Sequence, residues 1–567
     1  MKGLGVSQGI GIGKVYKLDC SKIEVVKKEI SDTVIEINKL NDAIIECKEQ
    51  IKSIYHLTLE NVGEKEAEIF KAQEMMLEDD DVFAEVINKI ETEKLNCEFA
   101  LNEVFNKYIK LFDYVEDESL KERVYDLKDV LCRLTKIIIG DGAIKLSDVE
   151  CGTVLVAYDI SPSDAAQINK DKISAIIIET GGRTSHVAII ARTMEMPTVV
   201  GAEGIFEMVQ SGDEIICDGS TGEICIKPSA NAKAYYDLKK QKENDIRKKL
   251  IEQIGLETIT LDGYKSIIGA NIGVPSDTYY AIKNDAESIG LFRSEFLYMS
   301  RTKLPTEDEQ FEAYKEIALK MKEKSVVIRT LDVGGDKEIP YLKIPVEINP
   351  CLGYRAIRIC LDNTDIFKVQ LRAILRASAF GKIKIMFPMI SCLNEIRAAK
   401  KLYFETRQEL LDEGIEVASH IELGIMIETP SAAIISDILA KEVDFFSIGT
   451  NDLIQYTLAV DRTNSKINHL YNHYHPAIVR LIKNIIDNAH AANIKAAMCG
   501  EMAGEEYLIP LLIGMGLDEF SMNPSSILKA RQVIRAYSKK ECEELLTEVL
   551  KLSDGEEVEN YLISKLK

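Results

Sequence analysis

Helix breakers are almost missing from the first quarter of this chain: no proline occurs before Pro162, and between Lys14 and Ile139 the only glycine is Gly63. So little of either excludes a strand-and-turn architecture there and predicts long helices over residues 21–145. The twelve cysteines are scattered singly from Cys20 to Cys542, with no Cys-x-x-Cys pair and no zinc-like spacing. That pattern excludes a disulfide scaffold or zinc module and predicts reduced thiols. Nowhere do eighteen apolar residues run together, and Met1-Lys2-Gly3-Leu4-Gly5 lacks an apolar signal core. A soluble, cytoplasmic protein without membrane insertion is therefore expected. Positive charge is short as well, 70 Lys and Arg against 92 Asp and Glu, net −22. That argues against binding nucleic acid or an anionic membrane and suits a basic protein partner.

What remains is ample for folding. With 567 residues, 46% of them apolar, two to four cores are expected. Residues 21–145 hold 18 basic and 29 acidic side chains, half the chain's net charge in about a fifth of its length, which predicts an acidic helical bundle. Charge runs are usually solvated faces; this one also suits docking of a basic partner. Glycine-rich strand and turn texture flanks it, so residues 1–20 and 146–228 are expected to form one α/β domain interrupted by the bundle. Residues 229–255, proline-free, rich in Lys and Glu, begun by Ser229 and stopped at Gly255, read as an exposed linker helix.

Beyond it, over 256–567, eight short apolar runs recur: Ser266–Ala270, Ser288–Phe292, Ser325–Ile328, Ile383–Phe387, Leu423–Ile427, Phe445–Ile448, Ile494–Met498 and Glu519–Ser521. Most precede a helical pattern, which predicts a (β/α)8 barrel within an α/β multidomain chain. Reactive side chains fall at the carboxyl ends of these runs, where barrel active sites gather: Asn271, Arg293, Arg329, Glu428, Asn451 with Asp452, and Cys499.

Only seven histidines occur, and one is singular. His186 closes Gly181-Gly182-Arg183-Thr184-Ser185-His186 between the apolar run Ile173–Ile178 and a helical pattern, a setting in which backbone N–H groups favour an anion. A lone histidine in such a turn is more often a cap. The glycine pair, arginine and two hydroxyls before this one point instead to a phosphate carrier. Arg183 and Thr184 would orient the imidazole or its phosphate, though loop geometry alone also accounts for them.

At the barrel mouth, Arg293 and Arg329 end apolar strands, where a cation is costly unless it meets an anion. With Arg462 they predict a cationic pocket for a small phosphate or carboxylate; Arg355 is a weaker member. Glu428 and Asp452, over adjacent strands, either neutralise those arginines or hold Mg²⁺, which takes oxygen ligands and keeps several waters; the metal is favoured. Cys499, otherwise an ordinary small core residue, would there be placed to give a proton to an enolate. His473 and His475 read as structural.

Several of these segments together resemble the phosphoenolpyruvate-using enzyme family: Gly181 to His186 with Met196-Pro197-Thr198-Val199, Phe445 to Leu453, and Ala497-Met498-Cys499-Gly500-Glu501. Only helical sequence separates Lys14 from Cys151, leaving no room for a nucleotide domain, so the likeness is to the enzyme I branch of the sugar phosphotransferase system. Gly5 to Ile10, Arg329 to Lys337 and Gly353 to Arg358 fit that branch; Ile454, where threonine is expected, departs from it.

The resemblance implies a phosphohistidine domain, an inserted helical domain that docks the phosphocarrier protein HPr, and a barrel that binds phosphoenolpyruvate and joins a homodimer. It further implies that Nε2 of His186 takes the phosphoryl group with release of pyruvate, and that HPr receives it. Arg293, Arg329, Arg462, Asn451 and Asp452 would bind substrate, Glu428 and Asp452 would hold Mg²⁺, and Cys499 would supply the proton. A synthase- or dikinase-like enzyme with a separate nucleotide domain, or a phosphoenolpyruvate sensor without turnover, are the alternatives.

Overall fold

The computed structural model describes residues 1–18, 25–61, 64–112, 118–140, 149–165, 167–182, 187–188, 191, 194–299, 301, 303–335, 339–342, 344–345, 347–464 and 466–566. The chain divides into two compact units, Met1–Ile246 and Arg247–Lys567.

In the first unit a seven-stranded sheet is drawn from sequence on both sides of a helical segment. Its strands are β1 (Leu4–Ser7), β2 (Ile10–Leu18), β3 (Thr153–Ala157), β4 (Ile173–Ile178), β5 (Thr198–Val200), β6 (Glu214–Asp218) and β7 (Glu223–Ile226), in the order β1-β5-β4-β3-β2-β6-β7. β2 to β5 run parallel, while β1, β6 and β7 pair antiparallel at the two edges. Alternation sorts β3 cleanly: Leu155 and Ala157 join one apolar layer, Val154 and Val156 the other. Gly13 permits the close β2–β3 approach, since a Cβ there would sit 1.7 Å from the Gly152 carbonyl oxygen.

Five helices lie among the described residues between β2 and β3: α1 (Thr33–Asn61), α2 (Glu64–Met76), α3 (Asp80–Glu93), α4 (Cys97–Phe112) and α5 (Glu118–Ile139). They enclose a core of their own, including Leu40, Phe70, Val86, Leu101 and Leu134. Glu36 on α1 accepts the N–H of Cys97 at 2.9 Å, so a buried carboxylate caps the start of α4. The helix Ala230–Ile251 buries none of its residues. Polar contacts lay its first half on the sheet: Lys233 to Glu214 at 2.8 Å, Lys239 to Asp218 at 2.6 Å, and Tyr236 Oη donating to Glu223 at 3.0 Å.

The second unit contains the closed barrel expected from the eight apolar runs. Its strands are β8 (Ile267–Ile272), β9 (Ser288–Arg293), β10 (Val326–Arg329), β11 (Ile383–Phe387), β12 (Leu423–Ile427), β13 (Phe445–Ile448), β14 (Lys495–Met498) and β15 (Glu519–Met522), all neighbours parallel. The side-chain period of two sets which residues face inward. Ile328, Phe387, Ile425, Phe446 and Met498 pack outward against helices, while Leu291, Val327, Met386, Met426, Phe445 and Cys499 form a separate apolar cluster inside. Stepping two residues on from Leu291, Val327 and Met426 reaches Arg293, Arg329 and Glu428, which parity therefore aims at the barrel's carboxyl-terminal mouth. Asn271, expected beyond its strand, lies inside β8 and donates to the carbonyls of Cys499 at 2.8 Å and Ser521 at 3.3 Å.

At the opposite end of the barrel, Arg531 is wholly buried and joins the segment entering the barrel to its body. Its guanidinium donates to Thr258 Oγ1 at 3.1 Å, the Gln253 carbonyl at 3.1 Å and Asp285 Oδ2 at 2.6 Å. Losing one partner of a buried ion pair strands the other's desolvated charge. Arg531→Met is thus expected to destabilise the barrel unit by about 3 kcal/mol, lowering its calorimetric transition while leaving that of the amino-terminal unit in place.

Candidate active site

Three expected site residues, His186, Arg183 and Thr184, lie outside the described residues. The others fall at one end of the barrel. Arg293 and Arg329 end neighbouring strands and are paired in register. Glu428 follows β12, and the register of Ile427 with Ile448 sets it beside Gly449. Asn451 and Asp452 are not at a strand end as expected: they lie in the first turn of the helix Thr450–Leu458, three and four residues after β13 ends at Ile448. Cys499 follows β14, its N–H donating to the Ile448 carbonyl at 3.1 Å.

An ion network ties most of these groups together. Arg329 Nη2 meets Glu295 Oε1, and its Nη1 meets Asp332 Oδ2 at 2.9 Å. The other Asp332 oxygen takes Arg355 Nη2 at 2.9 Å, and that same nitrogen reaches Asp452 Oδ2 at 3.3 Å. Arg355 Nη1 donates to Tyr456 Oη at 3.0 Å, and Tyr456 donates onward to the Cys351 carbonyl. Arg462, about a third exposed, stands 3.9 Å from Asp452 Oδ1. Arg293 forms no hydrogen bond or ion pair among the described residues.

Two features of the mouth go beyond what the sequence led one to expect. Arg329 is neutralised by two buried acids, and Arg355, rated weakest on sequence, is 3% exposed and central to the network. Glu295, Asp332 and Tyr456 were missed. Asp332 lies three residues after Arg329 in sequence, close enough to signal an ion pair. Glu295 gave none, because it follows Arg293 by two residues yet pairs with Arg329 on the next strand.

The electrostatics follow from burial and neighbours. Burial works against the charged form of Arg329, but Asp332 and Glu295 outweigh it and hold its pKa above the ordinary arginine value. Arg355 behaves alike through Asp332 and Asp452. Burial, reinforced by Asp452 and Asp332, pushes the Glu428 carboxyl well above the usual carboxylate range despite Arg329 and Arg355. A cation between Glu428 and Asp452 would relieve that repulsion.

Among the described residues no group of three or more His, Cys, Asp or Glu could hold a metal by itself. Two carboxylates nonetheless fit Mg²⁺, which fills its remaining positions with water and substrate oxygens. Asn451 is held by Glu501, its Oδ1 accepting the Glu501 N–H at 3.0 Å and its Nδ2 donating to Glu501 Oε1 at 3.3 Å. Gly500 brings the two loops together: a Cβ there would lie 1.8 Å from Thr450 Oγ1 and 2.7 Å from Thr450 N. His473, 2.8 Å from Glu505, and His475, accepting the Ala477 N–H at 3.1 Å, serve the fold.

The chain matches family models described as the PEP-utilising enzyme N-terminal domain at residues 2–123, mobile domain at 149–222 and PEP-binding domain at 247–539. Phosphoenolpyruvate-protein phosphotransferase of Bacillus subtilis is 45% identical over 567 residues, 100% of both chains. That of Staphylococcus carnosus is 46% identical, covering 98% of this chain and 97% of its own, and that of Geobacillus stearothermophilus 45%, covering 99% and 97%.

Burial also pushes the Cys499 thiol up, against the lowering influence of Ser447, Arg329 and Arg293, so it stays protonated at neutral pH. A raised pKa means less thiolate at any given pH. At pH 8, iodoacetamide is expected to modify exposed Cys151 and Cys392 at least about tenfold faster than Cys499. Peptide mapping checks this, and the Cys499 rate should still be climbing above pH 9.

Proposed function

The chain belongs to the PEP-utilising enzyme family, and on that premise we propose that it is a phosphotransferase that moves the phosphoryl group of phosphoenolpyruvate to its own His186. The observation that carries this reading is the convergence at the barrel mouth of Arg293, Arg329, Arg355, Glu428, Asp452 and a protonated Cys499. In the reaction the bond from phosphorus to the enol oxygen breaks, a bond to Nε2 of His186 forms, and the enolate takes a proton to become pyruvate. Phosphoryl transfer needs positioning and neutralisation of charge on the equatorial oxygens more than covalent help. Arg293 and its strand neighbour Arg329 would meet the phosphoryl group, with Arg462 as a further cation near Asp452. Asn451, fixed by Glu501, binds near the carboxylate or phosphate. Glu428 and Asp452 would hold Mg²⁺, which when bound supplies neutralisation of substrate charge. Cys499 delivers the proton.

His186 lies in the amino-terminal unit and the barrel in the other, so this reading requires movement between units. Arg183 and Thr184 would orient the imidazole or its phosphate. The phosphoryl group then passes to a histidine of HPr, a small phosphocarrier docking on the helices of residues 21–145, whose acidic excess suits a basic partner. The reading includes a homodimer joined through the barrels. Ile348 and Leu352, 97% and 66% exposed, offer apolar surface of the kind an interface buries. The singly scattered cysteines suit work in a reducing cytoplasm; among the described residues no helix is long and apolar enough to cross a membrane.

Incubated with radiolabelled phosphoenolpyruvate and Mg²⁺, the full chain should acquire an acid-labile label, lose it in His186→Ala, and pass it to HPr. Cys499→Ala should lower turnover by about 100-fold or more while keeping phosphoenolpyruvate affinity within about threefold. Labelling from ATP instead would favour a synthase-like enzyme, and no labelling of the folded chain a sensor.

A further inference from the structure

The guanidinium groups of Arg329 and Arg355 reach the mouth from different elements, one from the end of β10, the other from a turn before residue 357. Their meeting is not dictated by strand register. Each already has an acidic partner of its own: Glu295 for Arg329, Asp452 for Arg355. Asp332 is the one carboxylate among the described residues that contacts both, one oxygen on each guanidinium at 2.9 Å, and its side chain is 2% exposed. Charge neutralisation alone does not explain a third buried acid there; a shared carboxylate fixes the relative aim of two planar forks.

The backbone around it is built for the same alignment. Ala356, next to Arg355, is fully buried at φ 52° and ψ −126°, a conformation that costs a non-glycine residue energy and persists only where surroundings enforce it. Its N–H donates to the Val333 carbonyl at 2.9 Å, joining the turn to the residue after Asp332. Gly334, at φ 95°, admits this approach, because a Cβ there would lie 2.7 Å from Arg355 Cβ and 2.8 Å from the Tyr354 carbonyl oxygen. With Asp332 taking one Nη of each arginine, the Nε of both is left buried without a hydrogen-bond partner. Buried donors are nearly always satisfied, so each guanidinium keeps an unmet donor beside the shared carboxylate.

We propose that Asp332 is a positioning residue for phosphoryl transfer, holding Arg329 and Arg355 in the orientation that meets the transferring group. The proposal rests on the phosphotransferase reading above. Misaimed arginines would still attract a trianionic substrate by charge but would fit the transition state poorly, so rate should suffer and affinity should not.

The test uses the full chain with Asp332→Asn and Asp332→Glu. Single-turnover labelling from phosphoenolpyruvate and Mg²⁺ gives the rate, and phosphoenolpyruvate binding in the same variants combined with His186→Ala gives the affinity. Labelling slowed at least about tenfold in both variants, with affinity within about threefold of the His186→Ala control, is expected. Asp332→Glu keeps the charge but shifts the oxygens, and it decides the matter should Asp332→Asn fail to fold. Asp332→Glu labelling within twofold of the unaltered chain would overturn the proposal, leaving neutralisation alone as the residue's role. So would a rate loss matched by equal losses of affinity and thermal stability. If the unaltered chain takes no label, the phosphotransferase reading itself fails, a result distinct from both.

Discussion

Four buried side chains in alternating charge, Arg329, Asp332, Arg355 and Asp452, organise the carboxyl-terminal mouth of the barrel. Buried guanidinium groups are tolerated there only because carboxylates meet them, and the carboxylates are tolerated only because the arginines do. That mutual dependence joins the end of β10, Asp332 just after it, the turn before residue 357 and the helix Thr450–Leu458 into one rim. Glu428 stands beside this rim with its carboxyl forced toward the neutral form, and the Arg293 side chain beside it has no ion pair among the described residues. Among the described residues, a site poised this way offers Arg293 to an anionic ligand and an acid pair that a divalent ion would relieve.

The barrel makes that rim possible through parity. Strands β9, β10 and β12 carry apolar residues on both faces ahead of their ends, so the last inward residue of each is selected by a two-residue period and not by local chemistry. Leu291, Val327 and Met426 pack the interior, and the next inward positions are Arg293, Arg329 and Glu428. The same alternation places Cys499 in the apolar interior cluster, where the lack of water that raises its pKa also suits it to hold a proton until an enolate needs one.

Much of this was legible before any coordinates. The eight runs announced a closed parallel barrel, because mostly apolar segments of strand length followed by helical patterns have few other stable arrangements. Charged residues at their ends announced the mouth. What stayed hidden was pairing between elements distant in sequence. Glu295 follows Arg293 in the chain yet serves Arg329, and Arg355 approaches from a turn whose strained Ala356 gives no compositional sign. Asn451 and Asp452 looked like strand-end residues because Ile448 leads directly to them, but the chain turns at Gly449 and begins a helix. Long-range electrostatic partners are chosen by packing, which one-dimensional spacing records poorly.

The central claim is that the rim at the carboxyl ends of β9, β10, β12 and β13 is where the phosphoryl donor binds. A crystal structure of the His186→Ala chain soaked with phosphoenolpyruvate and Mg²⁺ tests it most directly. The account predicts ligand oxygens within hydrogen-bond distance of Arg293 and of the Arg329 and Arg355 guanidiniums, with the ion on Glu428 and Asp452. Ligand bound away from the barrel mouth, or an ion held by other residues, would contradict it.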